Sequence, residues 1–268
     1  MEAENQDQWQ APPPPPSQET KVLEQPEMSE VASIANIFFE PGRTFEDLRR
    51  KPRFILGLLI VILLTTAYSF GLFYKIGEAS IRKSVAEQMD KNPQVAQMPP
   101  DQKEGFVEMN MTISKYTRYA LPVIFAIVMF IGGLLYWLAA KAFGGSGSFL
   151  HGVSVFVYSS IPPTVIAMVA NFIVLFFKSA DEIDLQASQR GVIHANPGVF
   201  FGTDASPVLV TLISTLDLFM IWGWILAAIG LRVTNKISSG SAWAITIIFA
   251  LIGITFRVIG AFINGVPG

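Results

Sequence analysis

Cysteine is absent from this chain, which excludes disulfides, thiolate metal sites and a cysteine nucleophile. Histidine is nearly absent too. His151 and His194 are the only two, too few for a histidine-rich metal centre. Charge is scarce: Asp, Glu, Lys and Arg make up 15% of the 268 residues, where soluble domains carry about 25%. The formal net charge is -2, so there is no excess of positive charge for a nucleic-acid partner, which calls for a clustered basic face. Phosphate loops, zinc-protease helix motifs and dinucleotide fingerprints are all missing. No catalytic residue, metal ligand or cofactor is expected, and the chain does not read as an enzyme.

What is present in quantity is apolar sequence, 51% of the residues. It falls into five stretches, about 54–75, 119–142, 149–178, 207–231 and 241–263. A hydrocarbon core roughly 30 Å thick is crossed by about 20 helical residues. The pattern predicts an all-α integral membrane protein with five transmembrane helices. Phe54 to Tyr74 comes too late and runs too long for a signal-peptide core. It is expected to be both insertion signal and anchor.

Four domains follow. Residues 1–30 form a tail rich in Pro, Gln and Glu, too polar to bury a core. Its run Pro12 to Pro16 reads either as a plain spacer or as a polyproline ligand. Residues 31–53 place Val31, Ile34, Ile37 and Phe38 at helical spacing, then Phe45 and Leu48 beside the basic cluster Arg49, Arg50, Lys51 and Arg53. An apolar face next to basic residues predicts an interfacial amphipathic segment on anionic lipid; a solvated linker whose charges only stop translocation is the alternative. Residues 54–263 are the five-span domain, and 264–268 a short C-terminal tail.

Between the first two spans, Ile81, Val85 and Met89, then Phe106, Met109, Ile113 and Tyr116, recur at helical spacing. The prolines between Pro93 and Pro100 separate them, and Asp101 is placed to cap the second run. This predicts an extramembrane helical hairpin extending the first two spans. The link 178–206 has no helical period and reads as an irregular loop packed on the membrane face. Ser206-Pro207 after it reads as an N-cap with proline at the first helical position. The basic cluster before span one predicts a cytoplasmic N-terminus, and an odd number of spans then puts Gly268 outside. In a bacterium this would be the cytoplasmic membrane. Tyr136, Trp137 and Trp243 read as an aromatic belt at one interface.

Two charges fall inside the spans: Asp217 in the fourth and Arg257 in the fifth, both roughly 10 Å deep from the same side. Charge at membrane depth costs at least about 2.5–3.5 kcal/mol, which favours pairing. An intramembrane ion pair is expected, either a structural lock or part of a proton or ion relay; separate snorkelling to the interface is the third possibility. Gly253 and Ala261, four residues either side of Arg257, suggest a face turned toward protein. Pro162 and Pro163 predict a helix break or kink in span three, with Ser159, Ser160 and Thr164 available to the freed carbonyls. Gly144-Gly145-Ser146-Gly147, near His151, is similar to the serine motif of rhomboid-type intramembrane proteases. It lies in a hydrophilic turn without a second-span histidine as base, and reads as a turn.

Taken together, Phe39-Glu40-Pro41, Thr44-Phe45 and Pro52, the proline-bearing third span, Asp217 to Trp222, Gly230, and Ser238 to Ala242 resemble the Yip-domain family. That family takes its name from eukaryotic proteins that interact with Ypt/Rab GTPases. The resemblance covers roughly Ile37 to Ile263 and implies a five-helix membrane domain with a cytoplasmic N-terminus. In eukaryotic relatives it implies trafficking roles through partner proteins, without a known reaction. The cytosolic Asp-Leu-Tyr-Gly-Pro signature of those relatives is absent here, so the chain looks more like the prokaryotic branch. The expected function is a non-enzymatic membrane protein acting through helix–helix or partner-protein contacts. Its partners would be the lipid bilayer and an unidentified membrane protein or a second copy. A small-solute or proton-coupled permease using Asp217 and Arg257 is the alternative.

Overall fold

The computed structural model describes residues 25–90, 95, 97–183, 188, 191–193, 195–201, 205–265 and 267. The polyproline run, His194 and Gly268 lie outside the described residues. Helices account for the regular structure among the described residues: α1 (Glu30–Asn36), α2 (Pro41–Arg50), α3 (Ile55–Ile76), α4 (Glu78–Asp90), α5 (Pro100–Ala142), α6 (Phe149–Phe177), α7 (Pro207–Ser214), α8 (Leu218–Asn235) and α9 (Ser239–Asn264). Five of them, α3, α5, α6, α8 and α9, are long and apolar enough to cross a membrane. The chain is an all-helical, multi-pass integral membrane protein.

α6 is the central helix, packed against α3, α5 and α8, which is why so much of it is buried, from Gly152 to Pro163. Its crossing with α5 depends on missing side chains. A Cβ on Gly152 would come within 2.3 Å of the Gly133 carbonyl oxygen, and one on Gly133 within 2.5 Å of Val153 Cα. Where dispersion replaces water exclusion as the attraction between helices, such close approach supplies the contact.

The extramembrane hairpin forms as expected. Gly77, at φ +80°, separates α3 from α4. α5 is 43 residues long, about 65 Å, and so projects far beyond the hydrocarbon. α4 lies against the projecting part, where Arg82 bonds Glu104 and, at 2.8 Å, Glu108, and Lys103 reaches Asp90 at 2.9 Å. Those two carboxylates hold the Arg82 guanidinium above the usual arginine range. Ile81 and Val85 pack inward, together with Met111 of α5. Two details differ from the sequence reading. Pro99, not Asp101, is the N-cap, leaving Asp101 in the first turn where it favours the helix dipole. Phe106, Met109, Ile113 and Tyr116 face away from α4 and are exposed.

The segment before span one also differs. α2 presents Thr44, Phe45, Asp47 and Leu48 inward, all buried, against α8. Phe45 occupies the place a side chain on Gly230 would take, 2.8 Å from its Cβ position. Phe38 meets Trp222 edge-on with centroids 6.3 Å apart. The apolar face read as lipid-seeking is therefore spent largely on protein. Tyr136, read as a belt residue, is buried with its ring 5.2 Å from that of Phe156.

Span three is helical straight through Pro162 and Pro163. Both prolines are buried, so packing on several sides holds the backbone although two amide donors are lost. Ser159 and Ser160 donate to the Phe156 and Val157 carbonyls, at 3.0 and 2.7 Å, not to the Tyr158 and Ser159 carbonyls that the prolines free. The break expected there occurs instead in span four, at Thr215 to Asp217 between α7 and α8.

Replacing Gly152 by Ala is expected to lower stability in detergent by about 1–3 kcal/mol, the range of overpacked cores. Gly253, expected in a protein-facing position, is exposed with nothing within 4 Å of its Cβ site. Gly253→Ala is therefore expected to be neutral or stabilising. Thermal unfolding of the two variants side by side checks the pair.

Candidate functional site

The break between α7 and α8 interrupts the fourth apolar stretch, and Asp217 and Arg257, both singled out above, lie beside it. α8 starts there without a preceding helical turn to receive its first amides. Asp217 is its N-cap: Oδ1 accepts from Phe219 N at 2.9 Å and Met220 N at 3.3 Å. Asp, Asn, Ser and Thr are preferred at this position because a short acceptor side chain reaches those amides. The Leu218 amide donates to the carbonyl of Ala195 at 3.1 Å, and Asn196 Nδ2 donates to Asp217 Oδ2 at 3.2 Å. From the loop after α6, Ala195 and Asn196 therefore complete the start of α8.

Two other helices hold the same loop. Asn171 of α6, 1% exposed, accepts on Oδ1 from Val192 N and, at 2.9 Å, from Ile193 N. Its amide donates to its own helix at Ala167 O, 2.7 Å. Tyr68 of α3 donates to Ser188 O at 2.8 Å. Gly191 passes Asn171 at φ +134°, a backbone region that favours glycine, and a Cβ there would sit 2.8 Å from the Asn171 amide. Tyr68 and Asn171 lie within the last three turns of their candidate spans, and Asp217 immediately precedes the candidate span Leu218–Asn235.

Arg257 of α9 donates to Met220 Sδ at 3.3 Å. Asp217 and Arg257 therefore converge on Met220, one at its amide and the other at its sulfur. Of the small residues beside Arg257, Ala261 is buried and Gly253 is exposed.

A second polar cluster lies at the opposite end, between α1, α2 and the start of α3. Asp47 is 1% exposed and pairs with Arg53 Nη2, whose side chain is 14% exposed. Arg53 also donates to Ser33 Oγ at 3.1 Å and to the Met28 carbonyl. Asp47 Oδ1 accepts the Glu27 and Met28 amides. Glu30 reaches from α1 to the Leu56 amide at 2.9 Å, acting as a cap for α3, whose own N-cap Phe54 has no acceptor side chain. The Tyr158 hydroxyl of α6 faces this cluster. Arg49 bonds Glu46, and Arg50 bonds Glu27. The Arg49 hydrogen bond holds the Glu46 carboxyl below the usual range, outweighing the burial that would raise it. Of the four basic residues, only Lys51 is exposed; the cluster read as lipid-facing is in large part neutralised within the chain.

The glycine-serine turn is structural. Ser146 donates from its amide, at 3.0 Å, and its hydroxyl, at 3.4 Å, to Asn235 O at the end of α8. His151 accepts from Ser148 N at 3.0 Å on Nδ1, and its Nε2 lies 3.0 Å from the Arg49 carbonyl. It closes a capping box at the start of α6 and ties that helix to α2. Among the described residues no group of His, Asp and Glu is arranged to hold a metal ion.

Sequence reasoning found Asp217 but took it for a mid-span charge. The Ser214-Thr215-Leu216-Asp217 run just before an apolar stretch was the available N-cap signal. Asp47 and Arg53 were hidden in a run of charges, with nothing local to show that these two turn inward.

Asp217→Ala is expected to cost about 1 kcal/mol, the usual loss of an N-cap, and to free the 191–206 loop for proteolysis. Asp217→Asn retains an acceptor and is expected to preserve both thermal stability and protection. Asp47→Ala leaves Arg53 buried without its partner and is expected to cost about 3–5 kcal/mol. The double variant Asp47→Ala/Arg53→Met is expected to recover much of that, as denaturation in detergent will show.

Residues 35–260 match the family model of the Yip1 domain. The chain is similar to membrane protein YknW of Bacillus subtilis (strain 168), with 26% identity over 245 residues covering 90% of this chain and 94% of that protein. No solved structure matches significantly. The matched residues run from the end of α1 to the last turns of α9 and include Asp217, Arg257 and the Asp47–Arg53 pair, and on that extent the chain belongs to the Yip1 domain family.

Proposed function

We propose that this protein is a non-enzymatic member of its family that works through helix–helix or partner-protein contacts within the membrane. The observation that carries the reading is how the polar side chains at membrane depth are used. Asn171 and Asp217 bind the chain's own amides, Tyr68 its own carbonyl, and Arg257 the sulfur of Met220. A proton or ion relay needs groups free to change partner at graded depths, whereas these close a loop over the bundle. We read the Asp217–Met220–Arg257 arrangement accordingly as a structural tie between α8 and α9. The similarity to a Bacillus subtilis membrane protein supports the membrane setting. The N-terminus is assigned to the cytoplasm and the hairpin to the outside, with the cytoplasmic membrane as the location in a bacterium, on the strength of the basic residues before span one.

Reconstitution separates this from the permease alternative. Proteoliposomes loaded with a pH-sensitive dye, and in parallel with a panel of small solutes, are expected to show no flux above protein-free vesicles. Flux that disappears in Asp217→Asn, a variant expected to fold, would establish the permease instead. Because the chain has no cysteine, Ser84→Cys and Lys51→Cys report sidedness without background. An impermeant maleimide on intact cells is expected to label the first and not the second.

A further inference from the structure

The apolar row on α5 that points away from α4 has a period and a setting that together name its occupant. Phe106, Met109, Ile113 and Tyr116 are exposed, Ile113 at 55% and Tyr116 at 68%. Their spacing of three, four and three residues is that of the a and d positions in a heptad. The same register continues without a shift through Ala120 to Val123, Ile127, Phe130 and Leu134, and all but the half-exposed Ala120 are exposed. One seam therefore runs along a single 43-residue helix from the extramembrane hairpin into the hydrocarbon. Lipid covers its inner half at no cost. It does not cover the outer half, because α5 is more than twice as long as the hydrocarbon is thick.

We propose that this seam is the interface with a second copy of the chain, forming a parallel α5–α5 coiled coil that begins in the hairpin and continues into the membrane. Three features favour a second copy over another partner. Two copies in one membrane have the same orientation, so a twofold axis runs along the membrane normal and sets the two α5 helices parallel. That is the geometry in which a heptad seam meets itself in register. The flanks of the outer seam, Gly105, Asn110, Thr112, Thr117 and Tyr119, carry no charge, so nothing repels when identical surfaces meet. Of the nearby charges, Glu104 and Glu108 are turned to Arg82, Lys103 to Asp90 and Arg118 to the Phe73 ring, while Lys115 lies off the seam and its flanks.

Area is sufficient as well. Four aromatic or long aliphatic side chains at these exposures present on the order of 500 Å² per copy on the water side, already a patch of interaction size. The inner seam brings the total to roughly the 800 Å² per partner of a stable interface. Gly105 leaves a shallow groove beside Phe106 and Met109, a hole into which a facing side chain fits.

The proposal supplies a partner for the contact role above and rests on that reading only in this respect. Cross-linking tests the face, whereas the flux assay tests the role, so either can fail alone. The test uses the full chain in membranes, with single cysteines at Met109, Ile113 and Tyr116, and at Lys115 and Ser84 as off-seam controls. Mild oxidation is expected to give a disulfide-linked dimer at the seam positions at least fivefold more efficiently than at Lys115 or Ser84. Adding Ile113→Lys to the Tyr116→Cys variant is expected to cut that yield about tenfold while circular dichroism stays unchanged. Equal yields at seam and control positions overturn the proposal, as does a cross-linked product containing only a different protein. The cysteine series alone decides the matter if the lysine variant loses helix content.

Discussion

Inside a bilayer a backbone amide has no water to fall back on, so each one must be served by protein. Most of this chain meets that demand by remaining helical. The exception is span four, where the helix stops at Ser214 and restarts at Leu218. The first amides of the new helix are met by Asp217 and by the Ala195 carbonyl. That second acceptor requires a loop against the end of the span, and the loop's own amides then need acceptors, which Asn171 provides. A single interruption thus links the polar residues Tyr68, Asn171 and Asp217, which bond to that loop or to the restarted helix. It also gives a role to residues without a helical period: Ser188, Val192, Ile193, Ala195 and Asn196 bond to the helices instead of extending one.

The same demand shapes the other end of the bundle. α3 begins with Phe54, which offers no side-chain acceptor, and Glu30 supplies one from a different helix. For Glu30 to be in place, α1 and α2 must be docked, and that docking is achieved by Phe45 against Gly230 and by the buried Asp47–Arg53 pair. A buried pair contributes little net stability against an apolar substitute but penalises any arrangement that separates it. Here it fixes the register of a short amphipathic segment that could otherwise slide along the headgroups. The Phe-Glu-Pro and Thr-Phe elements have a common physical sense in this light. Pro41 opens α2, the Glu40 carbonyl receives the Thr44 hydroxyl, and Phe45 fills the space over Gly230.

The number of spans, their approximate limits and the hairpin were legible because hydropathy and helical period are local properties. The placement of the break was not. Pro162 and Pro163 give the strongest local signal for one, yet packing from α3, α5 and α8 keeps α6 helical. At Asp217 the same sequence reads as a costly charge or as a cap, depending on whether the helix before it continues. Only a partner more than twenty residues away, in a loop without periodicity, settles which. The basic cluster failed for a related reason. Arg49, Arg50 and Arg53 look like one patch in sequence, but Arg50 pairs with Glu27, ahead of α1, while Arg49 and Arg53 pair with Glu46 and Asp47, neighbours in sequence on α2 of which only Asp47 is fully buried.

Internal pairing of this kind determines what remains on the outside. Once Arg82, Lys103, Arg49, Arg50 and Arg53 have carboxylate partners within the chain, the faces between those pairs are left largely apolar, α5's outward row among them. Surfaces of that sort discriminate by shape and period more than by charge, since apolar contact carries no sign. The outward side of α5 is the longest such surface and its repeat runs on past the length of a span, whereas the exposed row Ile252, Phe256, Ile259 and Ile263 of α9 stays within one span. Lipid suffices for an apolar face no longer than the hydrocarbon is thick. A periodic one that continues beyond the lipid is better matched by another helix.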